Sequence, residues 1–162
     1  MSAPEPFDAE QWELVRLAPW TVAIGVTEAD PGGLFHHQRE LAALVREVHH
    51  AADDDLRPWL IARVAEDLAG AEYESDHQTP VEEAGKGDIH DGVIVRCRQL
   101  RTLLDSVAPD QADPFCAWLV ELAQAVAEAA KEGGIFGLGG ARVSQREAWM
   151  LEEIAAALRP ST

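Results

Sequence analysis

Two stretches of this sequence share one pattern: an apolar helical segment, an acidic turn that contains glycine, and a second helix that opens on Gln-Arg-Glu. The first copy spans Thr21–Val48 and the second spans Ala123–Ile154. Glu28 precedes the glycine pair in the first copy, and Glu128 precedes it in the second. Internal similarity of this kind indicates one supersecondary unit used twice. We therefore expect two pseudo-repeated helix-turn-helix units to organise the fold.

The composition favours helices over strands. The chain has 162 residues, the length of one domain with a single core, and 47% of them are hydrophobic, mostly alanine and leucine. Apolar residues recur at helical spacing in several segments, and no segment alternates convincingly as a half-buried strand does. The sequence therefore predicts one all-α domain over residues 1–162, a bundle of about six helices.

Capping residues and prolines set the predicted helix ends. Asp8 begins the first helix, and Pro19 either kinks this helix or begins another. Further helices are predicted at about 37–51, 56–69 and 89–107, from Asp110 or Asp113 with Pro114 in the first helical position, and from Ser144 to Leu158. Residues 70–88 are polar, contain proline and glycine, and lack a helical period. We expect a long loop or a partly disordered insertion there.

The charge balance limits the expected partners. The chain has 13 basic and 29 acidic residues, a net charge of −16. Such a surface repels phosphate backbones and anionic lipid, so we expect neither a nucleic acid nor a membrane as partner. Cys97 and Cys116 lie in apolar helical patterns without metal-type spacing. They are predicted to be buried free thiols, and the protein is expected to be cytoplasmic.

The segments APWTVAIGVTEADPGGLFHHQRE from Ala18 and LAQAVAEAAKEGGIFGLGGARVSQRE from Leu122 carry a family resemblance. They resemble the tellurite-resistance B (TerB-like) group of small helical proteins. This resemblance implies a compact pseudo-symmetric bundle with acidic residues at the helix-turn-helix junctions, linked in some relatives to divalent metal binding and stress responses. Carried over by position, the acidic residues are Glu28, Asp30, Glu40, Glu128 and Glu147. The second turn has Ala130 and Lys131 at the matching place, so at most one of the two turns is a credible cation site.

Histidines and carboxylates form a further candidate site. On a helix that starts near His36, the side chains of His36, Glu40, Glu47 and His50 fall on one stripe at the edge of the core face. The Glu47-x-x-His50 spacing lets a carboxylate and an imidazole meet one metal from adjacent turns. The candidate metal ligands are Glu28, Asp30, His36, Glu40, Glu47 and His50, and a divalent metal ion is the only cofactor suggested. The alternative is a solvated face with i, i+3 and i, i+4 pairs.

Two helix ends give more specific hints. Glu28 and Asp30 lie near the end of a helix, where the macrodipole disfavours negative charge. A bound cation, an Arg39 partner or simple exposure would each resolve this misfit. At the start of the helix predicted from residue 89, His90 and Asp91 are adjacent and form a candidate acid–base pair, with helix capping by Asp88 as the alternative.

Two classes of function follow from these patterns. The first is a small binding domain whose ligand at the acidic, histidine-containing junction is a divalent cation or a protein partner, including a homo- or hetero-oligomer. The second is an enzyme, or a subunit of a heteromeric enzyme, in which His37, His50 or His90 moves a proton on a small cationic or amine-bearing metabolite in a biosynthetic pathway. Such an enzyme predicts a concave pocket where a histidine faces apolar walls and a carboxylate. Most of the five tryptophans are expected in the core, with some at an oligomer contact.

Overall fold

The computed structural model describes residues 3–29, 34–54, 56–70, 89–131 and 145–160, with the backbone alone described at 34–41 and 130–131. Within these ranges the chain forms α-helices, and none of the described residues lies in a strand. The helices are α1 Ala9–Arg16, α2 Ala18–Ala29, α3 Leu34–Ala52, α4 Trp59–Gly70, α5 Ile89–Val107, α6 Pro109–Lys131 and α7 Gln145–Ala157. The all-α prediction is confirmed, and the described ranges contain one helix more than the six expected.

The additional helix arises because the N-terminal helical segment divides at Leu17. Asp8 caps α1 as predicted: its carboxylate accepts the Gln11 backbone N–H at 2.9 Å, and the Gln11 side chain accepts the Asp8 N–H at 3.0 Å. Leu17 caps the end of α1, and its carbonyl accepts the Thr21 N–H at 3.0 Å, so α2 begins at the next residue, Ala18. Pro19 falls in the first turn of α2, where a helix does not need its N–H.

The central helix of the bundle is α2. Its sequence is apolar around most of its circumference, which is typical of a helix that is buried on all sides. It packs against α1, α3, α5, α6 and α7. A Cβ atom at Gly25 would lie 2.6 Å from Met150 Cε and 2.9 Å from Val93 Cγ1. Glycine therefore lets α5 and α7 approach α2 closely near its C-terminal end.

The other helices complete one continuous core around α2. α3 packs against α4 and α6, and α7 packs against α5 and α6. The apolar stripes predicted from the sequence are buried, among them Trp12, Val15, Leu44, Val48, Leu60, Ile61, Val64, Val93, Leu100, Leu104, Phe115, Trp118, Leu119, Leu122 and Val126. Helical periodicity therefore identified the core-facing side of each of these helices.

The start of α6 differs from the prediction. The sequence predicts Pro114 in the first helical position, whereas α6 begins at Pro109 and contains Pro114. Pro109 takes the position that suits proline, and the Gln111 N–H closes the first turn on the Ala108 carbonyl at 2.9 Å. Pro114 lies in the second turn and removes only one helical hydrogen bond there. The prediction selected the wrong proline because both precede the same apolar stripe.

Several predictions fall outside the described ranges. The insertion at 70–88 lies outside them except for Gly70, the last residue of α4. The repeated turns, residues 30–33 and 132–144, also lie outside, so the structure describes only the helices that flank each turn. None of the described helices combines the length and the apolar character that a membrane span requires.

Candidate functional site

A cavity of about 560 Å³ lies where α2 ends and α5 and α7 begin. Its lining residues are Gly25, Glu28 and Ala29 from α2, Ile89 and His90 from α5, and Arg146, Trp149 and Met150 from α7. The three helices meet here because Gly25 allows side chains of α5 and α7 to contact α2 closely. Ligand sites commonly have volumes of about 300–1,000 Å³, so the cavity has the size of a small-molecule site. We call it the α2–α5–α7 cavity.

His90, the second residue of α5, stacks on Trp149 of α7. The ring centroids lie 4.4 Å apart and the ring planes differ by 12°. The His90 side chain is 22% exposed, and Trp149 is 51% exposed. The stack fixes the plane of the imidazole, while about half of the tryptophan surface stays accessible. An indole face attracts cations, so Trp149 can stabilise either an imidazolium or the cationic group of a ligand.

Asp91 contacts the same imidazole. Its Oδ1 lies 3.3 Å from His90 Nδ1, and the Asp91 side chain is 83% exposed. Because a carboxylate only accepts hydrogen bonds, this contact assigns the proton to Nδ1. In the neutral ring Nε2 is then the basic nitrogen. The contact is the one expected for the His90–Asp91 pair that the sequence suggests.

Glu28 and Arg146 bring opposite charges to the α2–α5–α7 cavity. Glu28 lies in the last turn of α2, and Arg146 is the second residue of α7. Both positions oppose the helix macrodipole, which favours basic residues at a C-terminus and acidic residues at an N-terminus. The stability of the two helices therefore does not explain either residue. What the two residues share is the cavity they line.

The rest of the cavity lining is apolar. Met150 is buried, and Ile89 is 36% exposed at the first position of α5. Gly25 contributes backbone and Ala29 a methyl group from α2. The cavity therefore combines an apolar surface with one carboxylate, one imidazole and one guanidinium. This combination suits a small molecule that has both polar and apolar parts.

Of the predicted site residues whose side chains the structure describes, Glu28 and His90 line one cavity. His50 is exposed near the end of α3, and Glu47 Oε1 lies 3.6 Å from Arg46 Nε. The predicted residues whose side chains lie outside the described ranges are Asp30, His36, His37 and Glu40. Among the side chains that the structure does describe, no group of three or more His, Cys, Asp and Glu is arranged to hold a metal ion. The metal site therefore stays a prediction.

A second charged group lies in the C-terminal half of α5 and is centred on Arg101, which is 6% exposed. Its Nε and Nη2 donate to Asp105 at 3.1 and 2.7 Å. Its Nη1 donates to Asp113 at 2.8 Å and to the Leu158 carbonyl at 3.3 Å. The hydrogen bond with Asp105 raises the pKa of Arg101 above its ordinary value. We call this group the Arg101 cluster; it links α5 to α6 and to the residue after α7, so its role is structural.

The two cysteines are free and buried, as the sequence predicts. Burial raises the pKa of Cys97 to about 12 and that of Cys116 to about 11. The nearby Arg101 lowers the pKa of Cys116, but burial has the larger effect. Because the thiolate is the nucleophilic form of cysteine, neither residue is activated for nucleophilic catalysis.

Two polar or aromatic residues of the cavity, Arg146 and Trp149, were not predicted from the sequence to be site residues. Arg146 appeared only as part of the repeated tripeptide, and Trp149 only among the tryptophans. Their separation of three positions places them on one face of α7. A basic residue at a helix start, followed at this spacing by a large aromatic residue, was the available signal.

Comparison of this chain with protein-family models, with curated proteins and with solved structures yields no match. The function is therefore judged from the chemistry of the α2–α5–α7 cavity. A carboxylate can hold an amine, a guanidinium can hold an anion, and an imidazole can carry a proton near neutral pH.

Proposed function

We propose that this protein binds a small amine-bearing metabolite in the α2–α5–α7 cavity, with His90 as its acid–base group. The observation that carries the proposal is that Glu28 and His90, which are distant in the sequence, line one cavity with apolar walls. Pockets with a few convergent polar groups in an apolar lining are typical small-ligand sites. The same combination is what proton transfer on an amine-bearing metabolite requires.

Three features favour a cationic group at the end of α2. Glu28 supplies a carboxylate, and hydrogen bonds between ionised groups are roughly twice as strong as those between neutral groups. The C-terminus of α2 adds partial negative charge from its terminal carbonyl groups. Trp149 offers an aromatic surface that attracts the same cation. An ammonium group is therefore the ligand feature that this part of the cavity favours most.

His90 is suited to exchanging a proton with the bound molecule. The stack on Trp149 sets the plane of the ring, and the Asp91 contact assigns Nδ1 as the protonated nitrogen. Nε2 is then the nitrogen that gains or loses a proton in general acid–base catalysis. This atom is buried, so proton exchange requires the ligand to reach it from the cavity. In the enzymatic form of the proposal, the protein uses His90 in this way, either alone or as a subunit of a heteromeric enzyme in a biosynthetic pathway.

A divalent cation is the second candidate ligand, because Glu28 lies at the cavity immediately before the acidic turn. In this proposal Asp30, His36 and Glu40 join Glu28 as ligands. This second proposal includes two further ones: that the chain is a TerB-like protein, and that its fold contains two duplicated helix-turn-helix units. A cytoplasmic location fits both proposals, since free thiols are typical of a reducing compartment. A protein partner at the half-exposed Trp149 is a further expectation.

Calorimetric titration with four amines tests the first proposal: ethanolamine, putrescine, agmatine and phenethylamine. At least one of them should bind the wild-type protein. Glu28→Gln should weaken this binding by about 10- to 100-fold, the effect of losing one charge-assisted hydrogen bond of about 1.5–3 kcal/mol. Glu128→Gln is the matched control, because Glu128 is exposed on α6 at the corresponding place of the second repeat.

Two results would count against binding of an amine. Either none of the four amines binds, or Glu28→Gln and Glu128→Gln weaken binding equally. A rise in melting temperature with Ca²⁺, Mn²⁺ or Zn²⁺ that Glu28→Gln abolishes would support the divalent-cation proposal instead.

A further inference from the structure

We infer that the metabolite is a zwitterion, which carries an anionic group for Arg146 as well as an amine for Glu28. This inference rests on the proposed binding of an amine in the α2–α5–α7 cavity. Binding of an amine gives no role to Arg146, which lines the same cavity. The additional evidence is the position of Arg146, its surroundings and the apolar surface beside it.

The first step concerns the position of Arg146 on α7. A basic residue in the first turn of a helix lies beside unpaired backbone N–H groups, an arrangement that slightly destabilises the helix. The first turn of α7 also contains the buried, acidic Glu147. The exposed guanidinium of Arg146 is therefore the group of this turn that attracts an anion. A bound carboxylate or phosphate group would neutralise the charge of Arg146 at the start of α7 and so offset the destabilisation of the helix.

The second step compares Arg146 with the other arginines that the structure describes. Arg16, Arg57 and Arg101 each contact a carboxylate at 3.2 Å or less, whereas the exposed Arg98, which lies away from the cavity, has no ion pair with a described residue. Arg146 makes no ion pair with any residue within the described ranges, and it is exposed at the cavity. A planar guanidinium that is not engaged by a described carboxylate can hold an anionic group through two parallel hydrogen bonds.

The third step concerns how the two charges are arranged. Glu28 ends α2 and Arg146 begins α7, and these helices pack against each other. A molecule with an amine and an anion can satisfy both residues at once, whereas a simple amine satisfies only Glu28. A zwitterion should therefore bind more tightly than a simple amine, because the simple amine offers no anionic group to Arg146.

The fourth step concerns the body of the ligand. The cavity lining also includes Met150, Ile89 and the half-exposed Trp149, which present an apolar and aromatic surface. The volume of about 560 Å³ leaves room for an apolar group in addition to the two charged groups. The class that fits is an amino-acid-like zwitterion, with either a carboxylate or a phosphate as its anionic group.

The test measures binding of the standard L-amino acids by calorimetry, followed by two derivatives of the tightest binder. The methyl ester removes the carboxylate charge and the N-acetyl form removes the amine charge. O-Phosphoethanolamine and ethanolamine form a second pair, which distinguishes a phosphate from a carboxylate. Whichever of the two zwitterions binds more tightly, the best amino acid or O-phosphoethanolamine, we expect its derivatives that lack one charge to bind at least tenfold more weakly.

The protein variants are Arg146→Gln and its matched control Arg98→Gln, since Arg98 is an exposed arginine of α5 that does not line the α2–α5–α7 cavity. Arg146→Gln should weaken zwitterion binding at least tenfold and change binding of the simple amines less than twofold. Arg98→Gln should leave both unchanged.

The outcomes separate this inference from the proposed function. If simple amines bind in a Glu28-dependent manner but no zwitterion binds more tightly than its ester or than ethanolamine, the inference is wrong and the proposed function stands. An equal effect of Arg146→Gln on zwitterions and simple amines also overturns the inference. If neither amines nor zwitterions bind, the proposed function fails and the inference fails with it.

Discussion

The two charged groups along α5 have similar chemistry and different surroundings. Arg101, in the C-terminal half of the helix, donates four hydrogen bonds to Asp105, Asp113 and the Leu158 carbonyl and is almost fully buried. His90, at the start of the helix, borders an open volume together with Glu28. The first group links helices to one another, and the second surrounds a space that a ligand can fill. Charge alone therefore does not distinguish the two groups; the adjoining cavity does.

The largest expected effect is the loss of stability on breaking the Arg101 cluster. Arg101→Ala removes a buried guanidinium and its hydrogen bonds, and we expect a loss of about 2–4 kcal/mol in the free energy of unfolding. Arg16→Ala is the matched control, because Arg16 pairs with the exposed Glu13 at 2.8 Å on the surface of α1. This control should cost less than about 1 kcal/mol. Equal losses in urea unfolding of the two variants would show that Arg101 is not structural.

The next effect concerns the thiols near the Arg101 cluster. The ordinary thiol pKa of 9.0 is raised by burial to about 12 for Cys97 and about 11 for Cys116. The contribution of the thiols to the free energy of unfolding is therefore fully present below pH 9. It is lost as the pH rises through these folded-state pKa values, because the thiols ionise at a lower pH in the unfolded state than in the folded state.

Urea unfolding at pH 8 and pH 10 in the presence of a reductant measures this loss. We expect the wild-type protein to lose about 1–3 kcal/mol more than the Cys97→Ala/Cys116→Ala variant between the two pH values. The same pH dependence in both proteins would mean that the thiols ionise as readily in the folded state as in the unfolded one.

A smaller effect concerns the close packing beside the cavity. Gly25→Ala places a methyl group within 3 Å of Met150 and Val93, and we expect it to cost about 1–2 kcal/mol even though alanine favours helices. Gly70→Ala is the control, because a Cβ atom there has no neighbour within 4 Å. This control should be neutral or stabilise by up to about 1 kcal/mol. Thermal unfolding that ranks the two variants the other way would refute the close contact of α2, α5 and α7.

The smallest effect on stability is expected at the cavity itself. Trp149→Ala removes a half-exposed ring and one aromatic stack with His90, which together contribute about 1 kcal/mol. The same substitution should weaken amine binding at least tenfold, because it removes the aromatic surface of the site. Arg101→Ala should lose more stability than Trp149→Ala, but it should bind the amine as the wild-type protein does at a temperature where the variant remains folded. If both variants instead lost amine binding in proportion to their loss of stability, the Arg101 cluster and the α2–α5–α7 cavity would not differ in function.

The local features of the fold were largely predictable from the sequence. The bounds of α5, 89–107, agree with the prediction, and Asp8 caps α1 through the expected hydrogen bond. Both depend on short-range signals: a periodic apolar stripe and a side chain that reaches backbone three residues away. The start of α6 was not predictable in this way, because Pro109 and Pro114 both suit a first turn and only tertiary packing selects one.

The lining of the α2–α5–α7 cavity was predictable only in part. Glu28 and His90 were identified singly, from a helix end with unfavourable charge and from an adjacent Asp91. Their common location was not predictable, because it depends on how α5 and α7 pack against Gly25 of α2. Trp149 was missed for the same reason: a tryptophan in an apolar stripe has the pattern of a core residue, and only the structure shows that it is half exposed.

The difference between the two groups can be measured in one NMR titration with the tightest-binding of the four amines. The Arg101 Nε–H, in the C-terminal half of α5, and the Trp149 indole N–H, on α7 beside the start of α5, each give a separate nitrogen-correlated signal. We predict that the Trp149 signal and the His90 ring signals shift in a saturable manner, while the Arg101 signal stays in place. Shifts at Arg101 with none at Trp149 and His90 would contradict the assignment of the α2–α5–α7 cavity as the binding site.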